Sequence, residues 1–118
     1  MEIYKVKTIS CAHQLALPYE SKCNRLHGHN YTIEVWIKGE RNKQGMVADY
    51  SDIAEVINKF DHQNLNDFMQ QPTAENFCYL LIDRFVAQFK GKCALKTIKV
   101  RVGETCTSYA EVESNVPV

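Results

Sequence analysis

The sequence predicts an α+β fold in which two helices cover one face of an antiparallel sheet. Three observations predict this class. Two segments with alternating apolar and polar residues, rich in β-branched side chains, occur at each end of the chain. Two segments with helical spacing of apolar residues lie between them. The 118 residues are 45% hydrophobic, which suits one core. The predicted order is β-β-α-α-β-β, and we expect a single domain over residues 1–118.

The first third of the chain contains two predicted strands and a long connection. Residues 2–10 alternate and are rich in β-branched side chains, which predicts the first strand. The alternation stops from Cys11 to Leu26, so this segment is predicted to be a loop, and long loops in compact domains are often functional. Alternation resumes over residues 29–39, which predicts a second strand that pairs with the first.

Two helices are predicted in the middle of the chain. Asp49 or Ser51 can cap the first helix, whose apolar residues recur at helical spacing until the helix ends near Asp61. Residues 72–75, P-T-A-E, open a longer second helix, and Gly91 ends it.

Two further strands close the chain. They are predicted over residues 95–102 and 107–112, with residues 103–106 at the junction. A four-stranded sheet has two open edges that can attract another chain. Joining the sheets of several protomers into a closed barrel would remove those edges, which is a hypothesis about the assembly.

Charge and cysteine content argue against several classes of protein. Lysine plus arginine equals aspartate plus glutamate, at 14 each, so we expect no nucleic-acid or anionic-membrane partner. No segment approaches the roughly 20 apolar residues of a membrane span. Five cysteines are an odd number without a paired spacing, which argues against a secreted disulfide framework. We therefore expect a cytoplasmic protein.

Three of the four histidines gather where the first two strands begin or end. His27 and His29 are two positions apart, so an extended chain points both rings to one face. His13 follows the first strand, and a hairpin would bring it to the same end of the sheet. Three neutral imidazoles suit Zn²⁺ and leave the fourth tetrahedral position for water or substrate. The competing interpretation is that H-x-H is simply a polar start to a strand.

Cys23 lies four residues before His27 in the same irregular segment. It could be a fourth ligand, which would close the site to chemistry. It could instead be a nucleophile or base whose pKa falls beside the metal, or an inert buried thiol. The spacing alone leaves these three alternatives open.

Three further positions have both a chemical and a local interpretation. The carboxylate of Asp61 can orient His62 and raise its basicity, although His62 also fits a helix C-terminus. Glu104 is either a solvated turn residue or a buried acceptor for the N–H groups of a substrate. Thr73 is well placed to be the N-cap of the second helix.

Six short motifs occur in order along almost the whole chain: C-A-H-x-L, C-N-R-L-H-G-H-N-Y, G-M-V-A-D-Y, F-D-H-x-x-L-N, P-T-A-E-N and E-T-C-T-S-Y. Together they resemble the 6-pyruvoyl-tetrahydropterin synthase superfamily. Within it, C-x-R-L-H-G-H and E-T-C-T are most similar to the 6-carboxy-5,6,7,8-tetrahydropterin synthases of queuosine biosynthesis. The resemblance implies the tunnelling fold, a β-β-α-α-β-β unit whose sheets join into barrels, usually in a homohexamer of two trimers.

The resemblance also implies site residues, position by position. It implies a zinc triad at His13, His27 and His29 and a catalytic thiol at Cys23. It also implies a catalytic dyad at Asp61 and His62 and substrate contacts at Glu104 and Thr73. In this scheme Cys23 is a proton acceptor rather than a metal ligand, and Glu104 anchors the pterin and takes part in the proton relay. Thr73 is a further pterin contact. Cys11 is a departure, because many relatives carry alanine there.

The implied activity is a zinc-dependent lyase reaction on a pterin triphosphate. The substrate would be 7,8-dihydroneopterin triphosphate and the products 6-carboxytetrahydropterin, acetaldehyde and triphosphate, without an external redox cofactor. Lys22, Arg25 or residues of a neighbouring subunit are candidates to contact the triphosphate. One alternative is the 6-pyruvoyl-tetrahydropterin synthase reaction, which uses the same groups but keeps the side-chain carbons. Another, of a different class, is a non-catalytic zinc-stabilised assembly or pterin-binding module.

Overall fold

The computed structural model describes residues 1–117. The regular elements in chain order are β1 (Glu2–His13), β2 (His27–Gly39), α1 (Tyr50–Asn58), β3 (Gln63–Asn64), α2 (Ala74–Phe89), β4 (Leu95–Thr105) and β5 (Ser108–Asn115). Short 3₁₀ turns occur at Lys22–Asn24 and Leu65–Asp67. The α+β class and the predicted order of four long strands and two helices are confirmed. Within residues 1–117, no helix is long and apolar enough to cross a membrane.

The strands form one sheet in the order β3-β1-β2-β4-β5. The four long strands pair antiparallel, and β1 pairs with β2 from Glu2 opposite Lys38 to His13 opposite His27. The predicted pairing of the first two strands is therefore confirmed, and it carries their ladder as far as the histidines.

Several strand boundaries differ from the prediction. β1 runs past the predicted end to His13, and β2 begins earlier, at His27. The reason is that pairing between the strands continues into residues whose side chains carry no β-propensity signal. The two-residue β3 was not predicted; it pairs parallel with Cys11 and Ala12. A contact between distant segments of that length leaves no local pattern in the sequence.

The core lies between the sheet and the two helices. Alternate residues of β2 point into it, as the alternation of a strand requires, and each fully buried side chain among them contributes about 1.5–3 kcal/mol. The largest fully buried side chains come from the sheet, both helices and the segment between them: Tyr31, Phe60, Phe77, Phe85, Ile9, Ile33, Ile37, Ile53, Ile57, Leu65, Leu81 and Ile98. The helices thus hold one face of the sheet in place.

Side-chain caps begin both helices. Asp49 caps α1 by accepting a hydrogen bond from the Ser51 N–H at 2.8 Å. Thr73 caps α2 by accepting from the Asn76 N–H at 3.1 Å, as predicted. Gly91, at φ 75°, follows α2 and allows the chain to turn away. The cap at Thr73 matters for the predicted site, because the carbonyl of Pro72, the residue before it, contacts the His13 ring.

Candidate active site

The ends of β1 and β2 bring the three predicted histidines together. His13 lies opposite His27 in the ladder, and their Nε2 atoms are 2.9 Å apart. His29 follows on the same face of β2, and Glu104 reaches the group from the end of β4. The four candidate ligand atoms of His13, His27, His29 and Glu104 lie within 4.8 Å of one another. The three histidines therefore form a cluster, as their spacing predicted, and a carboxylate joins them.

Main-chain carbonyls fix the protons of two of the rings. His13 Nδ1 is 2.8 Å from the Pro72 carbonyl oxygen, and His27 Nδ1 is 2.6 Å from that of Arg25. Because a carbonyl can only accept, each Nδ1 carries the proton and donates it. In the neutral rings both Nε2 atoms then present lone pairs to each other. These lone pairs repel unless a cation lies between them, and such a backbone contact at the second nitrogen is typical of metal-ligating histidines.

His29 adds a nitrogen without a partner. Its Nε2 is buried and has no hydrogen-bond partner among residues 1–117, although Glu104 Oε1 lies 2.9 Å away without hydrogen-bond geometry. Desolvation lowers the pKa of His29 even though the carboxylate of Glu104 opposes this. The ring is thereby biased toward the neutral form that binds metals. A buried unpaired nitrogen costs about 1–3 kcal/mol, which a cation at this point would relieve.

The separations of the ligand atoms suit a small divalent ion. Bonds of about 2.0–2.2 Å in a tetrahedron place ligand atoms roughly 3.4 Å apart. The His13 and His27 Nε2 atoms are 2.9 Å apart, and Glu104 Oε1 is 2.9 Å from His29 Nε2 and 3.7 Å from His13 Nε2, so these separations lie on both sides of that value. The residues therefore fit a metal ion bound by three nitrogens, with Glu104 within reach as a fourth ligand.

Tyr31 supports the cluster from the core side. Its side chain is buried and its hydroxyl is 3.1 Å from His13 Nδ1, so that oxygen shares the Nδ1 proton with the Pro72 carbonyl. Tyr31 was not among the predicted site residues. Its position two residues after His29 on the same strand face was the signal that could have identified it.

The Asp61 and His62 pair is attached to the edge of β1. Asp61 Oδ1 accepts the Ser10 N–H at 2.9 Å and lies 3.1 Å from His62 Nδ1. The His62 N–H donates to the Ser10 carbonyl at 2.7 Å, while its ring is 82% exposed. His62 has a φ of 61°, a left-handed conformation that is uncommon outside glycine and often found at functional sites.

A cleft of about 570 Å³ has both His62 and His29 in its wall. Its size suits a small organic molecule. The remaining lining comes from β1, β2, β3 and the residue before His27: Ser10, Cys11, Ala12, Leu26, Gly28, Asn30, Gln63 and Asn64. The cleft is the feature that joins the histidine cluster to the dyad, since no hydrogen bond or ion pair within residues 1–117 connects them.

Cys23 and Thr73 lie outside the cluster of ligand atoms. Cys23 is in the 3₁₀ turn before β2, where its carbonyl accepts the Leu15 N–H at 2.9 Å. Its sulfur is not one of the ligand atoms that gather in the described part of the chain, so the closed Cys-His₃ site gains no support. The structure gives Thr73 the role of helix cap and shows no other contact of its hydroxyl within that part.

Sequence comparisons find similar proteins over most of the chain. The family described as 6-pyruvoyl tetrahydropterin synthase matches residues 2–115. A Pyrococcus abyssi protein named as a candidate 6-carboxy-5,6,7,8-tetrahydropterin synthase is 49% identical, over 93% of this chain and 88% of its own length. The 6-carboxy-5,6,7,8-tetrahydropterin synthase of Synechocystis is 35% identical, over 92% of this chain and 89% of its own length.

A solved structure supports the fold. The 6-pyruvoyl tetrahydropterin synthase of Caenorhabditis elegans superposes with a TM-score of 0.75 at 24% identity, covering 98% of this chain and 96% of that one. This likeness confirms the tunnelling fold that the motifs implied. Because the sequence match also extends over nearly the whole chain, the protein belongs to the 6-pyruvoyl tetrahydropterin synthase family.

Proposed function

We propose that the protein is a zinc-dependent 6-carboxy-5,6,7,8-tetrahydropterin synthase. The reaction would convert 7,8-dihydroneopterin triphosphate and water to 6-carboxytetrahydropterin, acetaldehyde and triphosphate, in the biosynthesis of queuosine. One observation carries the proposal: the Nε2 atoms of three histidines converge, and main-chain carbonyls hold two of the rings in the tautomer that binds a metal. The names of similar proteins support the product.

His13, His27 and His29 would hold the zinc ion. When bound, zinc polarises the side-chain hydroxyls of the pterin and stabilises the negative charge that develops on their oxygens. Neutral imidazoles leave the charge of the ion uncancelled, which favours this kind of chemistry. The cleft beside His29 offers space for the substrate next to the ligands.

Cys23 and His62 would move protons at the side-chain carbons of the substrate. As a thiolate, Cys23 accepts a proton, and His62 accepts or donates one at a neighbouring carbon. Asp61 lies 3.1 Å from His62 Nδ1 and orients the ring. The exposed ring of His62 needs this contact, because nothing else among residues 1–117 is hydrogen-bonded to its side chain.

Glu104 would accept hydrogen bonds from the guanidine-like edge of the pterin. Its carboxylate lies 2.9 Å from His29 Nε2, so a pterin bound to it would be next to the metal ligands. Under this proposal Glu104→Gln keeps its zinc content but binds substrate more weakly, with KM raised about tenfold or more. Loss of zinc in this variant would instead identify Glu104 as a required ligand.

The triphosphate would meet basic residues near Cys23. Lys22 and Arg25 lie on or beside the turn that contains Cys23 and line a second cleft there. Guanidinium and ammonium groups are the usual partners of phosphate oxygens.

The decisive experiment is turnover by the purified, zinc-loaded protein. 7,8-Dihydroneopterin triphosphate is added, and acetaldehyde and 6-carboxytetrahydropterin are sought by mass spectrometry. Cys23→Ala should lose nearly all turnover while keeping its zinc and its fold, whereas the matched control Cys93→Ala, which changes a partly buried cysteine before β4, should keep its turnover.

The other outcomes separate the alternatives. A pyruvoyl product without acetaldehyde would assign the protein to the 6-pyruvoyl tetrahydropterin synthase reaction, which the family description favours. Absence of turnover by folded, zinc-loaded protein would favour a non-catalytic pterin-binding module.

We also propose a cytoplasmic homohexamer, built from two trimers by joining sheets at their edges. β5 is a long edge strand of the sheet, and β3 covers only a short part of the other edge along β1. Native mass spectrometry should give six times the mass of the chain, and a monomer would contradict this assembly.

A further inference from the structure

The loop that contains Cys23 runs from residue 14 to residue 26, between β1 and β2. Its first part lies outside the sheet. Such a segment needs partners for its backbone groups, and in this loop two amide side chains from elsewhere in the chain supply them.

Asn66 pairs with the backbone of Gln14. Its Oδ1 accepts the Gln14 N–H at 2.8 Å, and its Nδ2 donates to the Gln14 carbonyl at 2.9 Å. Gln71 repeats the arrangement at Ala16, accepting from its N–H at 2.9 Å and donating to its carbonyl at 3.3 Å. Residues 14 and 16 both direct their N–H and carbonyl groups to these amides, as alternate residues of an extended chain do. Each amide makes the two hydrogen bonds that one residue of a neighbouring strand would make in a sheet.

The other edge of this extended segment contacts the turn that contains Cys23. The Leu15 N–H donates to the Cys23 carbonyl at 2.9 Å, and the Leu17 N–H donates to Asn24 Oδ1 at 2.9 Å. The Gln14 side chain adds a hydrogen bond to the Asn24 carbonyl at 2.7 Å. The segment is thus held between two amides on one edge and the Cys23 turn on the other.

Two of the side-chain amides in these contacts, those of Asn66 and Asn24, belong to motifs of the sequence but have no role in the proposed reaction. Asn66 ends the motif D-H-x-x-L-N, and Asn24 follows Cys23 in C-N-R-L-H-G-H. Gln71 immediately precedes Pro72, whose carbonyl holds the His13 ring. The segment from Asn66 to Pro72 therefore contacts both the Cys23 loop and a histidine of the cluster.

We propose that Asn66 and Gln71 are positioning residues for Cys23. Acting through the backbone of Gln14 and Ala16, they set where the Cys23 turn lies relative to the histidine cluster. The proposal rests on the proposed function for its effect on turnover. Its effect on the loop itself does not depend on which reaction the protein catalyses.

The test compares Gln71→Ala and Asn66→Ala with Gln70→Ala. Gln70 is the matched control, because it is the same residue type next in sequence, is exposed, and makes no side-chain hydrogen bond within residues 1–117. The first measurement is amide hydrogen exchange on the zinc-loaded protein. Loss of the paired hydrogen bonds should speed exchange at Leu15 and Leu17 by roughly tenfold, and Gln70→Ala should leave it unchanged.

The second measurement is the rate at which iodoacetamide alkylates Cys23, followed by mass spectrometry of its peptide as a function of pH. If Asn66 and Gln71 only stabilise the fold, the pH profile of Cys23 alkylation is the same in the variants as in the wild type. If their loss displaces the Cys23 turn, the alkylation rate changes by about threefold or more. In the turnover assay kcat should fall by about tenfold or more with zinc content retained, because small displacements of a catalytic group are costly.

Gln71→Glu provides a graded variant that preserves side-chain length. It keeps the acceptor for the Ala16 N–H but loses the donor to the Ala16 carbonyl, so its effects should lie between those of wild type and Gln71→Ala. If Asn66→Ala, Gln71→Ala and Gln71→Glu all match Gln70→Ala in exchange and in alkylation, the proposal is wrong. If the wild type does not turn over the pterin, the proposed function fails, while exchange and alkylation still decide whether the amides position Cys23.

Discussion

The hydroxyl of Tyr31 lies 3.1 Å from Nδ1 of His13, on the side of the ring away from the other histidines. Tyr31 Oη and the Pro72 carbonyl both accept from that one N–H, so the orientation of the ring has two supports. The position of the Nε2 lone pair, and with it the geometry of the candidate metal site, depends on these two contacts of the ring.

Tyr31→Phe should therefore weaken metal binding without disturbing the fold. Loss of such an outer contact typically reduces affinity 10–100-fold, and because the Pro72 carbonyl remains, we expect about tenfold. Competition with a chromophoric chelator measures the Kd for Zn²⁺. Tyr109→Phe, an exposed tyrosine on β5, is the control. An unchanged Kd in Tyr31→Phe would show that Pro72 alone orients the ring.

Phe77→Ala should destabilise the protein strongly. Phe77 is fully buried, and its ring packs edge-on against Tyr31 and Phe60 with centroids 5.8 and 5.3 Å away. The free energy of unfolding should fall by about 3–5 kcal/mol in urea denaturation of the metal-free protein. Tyr79→Ala, an exposed site on the same helix, should change it by less than about 0.5 kcal/mol. A loss below about 1 kcal/mol at Phe77 would mean that the core refills the cavity.

Thiol reagents should distinguish the five cysteines. Cys11 and Cys78 are buried and their thiols donate to main-chain carbonyls, Cys11 to that of Phe60 at 3.1 Å. Burial raises the pKa of each to about 11, so little thiolate forms near neutral pH. Iodoacetamide should modify Cys23 and Cys106 in the native protein but neither buried thiol, and all five in denaturant. Native labelling of Cys11 would show that β1 opens at the cleft.

The stability of the fold should respond to acid through Asp61. The hydrogen bond from the Ser10 N–H favours the carboxylate and lowers the pKa of Asp61 below its ordinary value of 3.8. The unfolded chain therefore binds a proton first as the pH falls. This contribution to stability is complete above pH 3.8 and is lost as the pH falls through the lowered folded-state pKa.

The carboxyl chemical shift of Asp61, followed by NMR down to about pH 3, measures the effect directly. Asp61→Asn should keep the acceptor for the Ser10 N–H but lose this part of the pH dependence. Because the side chain is 36% exposed, the effect on stability should be small. A titration midpoint at or above 3.8 would contradict the prediction.

The sequence predicted the elements whose signal is periodic. The strand β2 and the caps at Asp49 and Thr73 follow from local rules of side-chain spacing and hydrogen bonding. The histidine cluster was predictable for the same reason, because alternation places His27 and His29 on one face and strand pairing adds His13.

By itself, the sequence determined which residue types are present and at what spacing, and hence the fold class, the family motifs and three candidate metal ligands. Only the tertiary structure decided that Pro72 and Tyr31 orient His13, that Glu104 joins the cluster, and that Asn66 and Gln71 hold the Cys23 loop. Side-chain periodicity is a local property of the backbone, so it can be read along the chain. Hydrogen bonds between segments tens of residues apart depend on how the elements pack, and they leave no such pattern in the sequence.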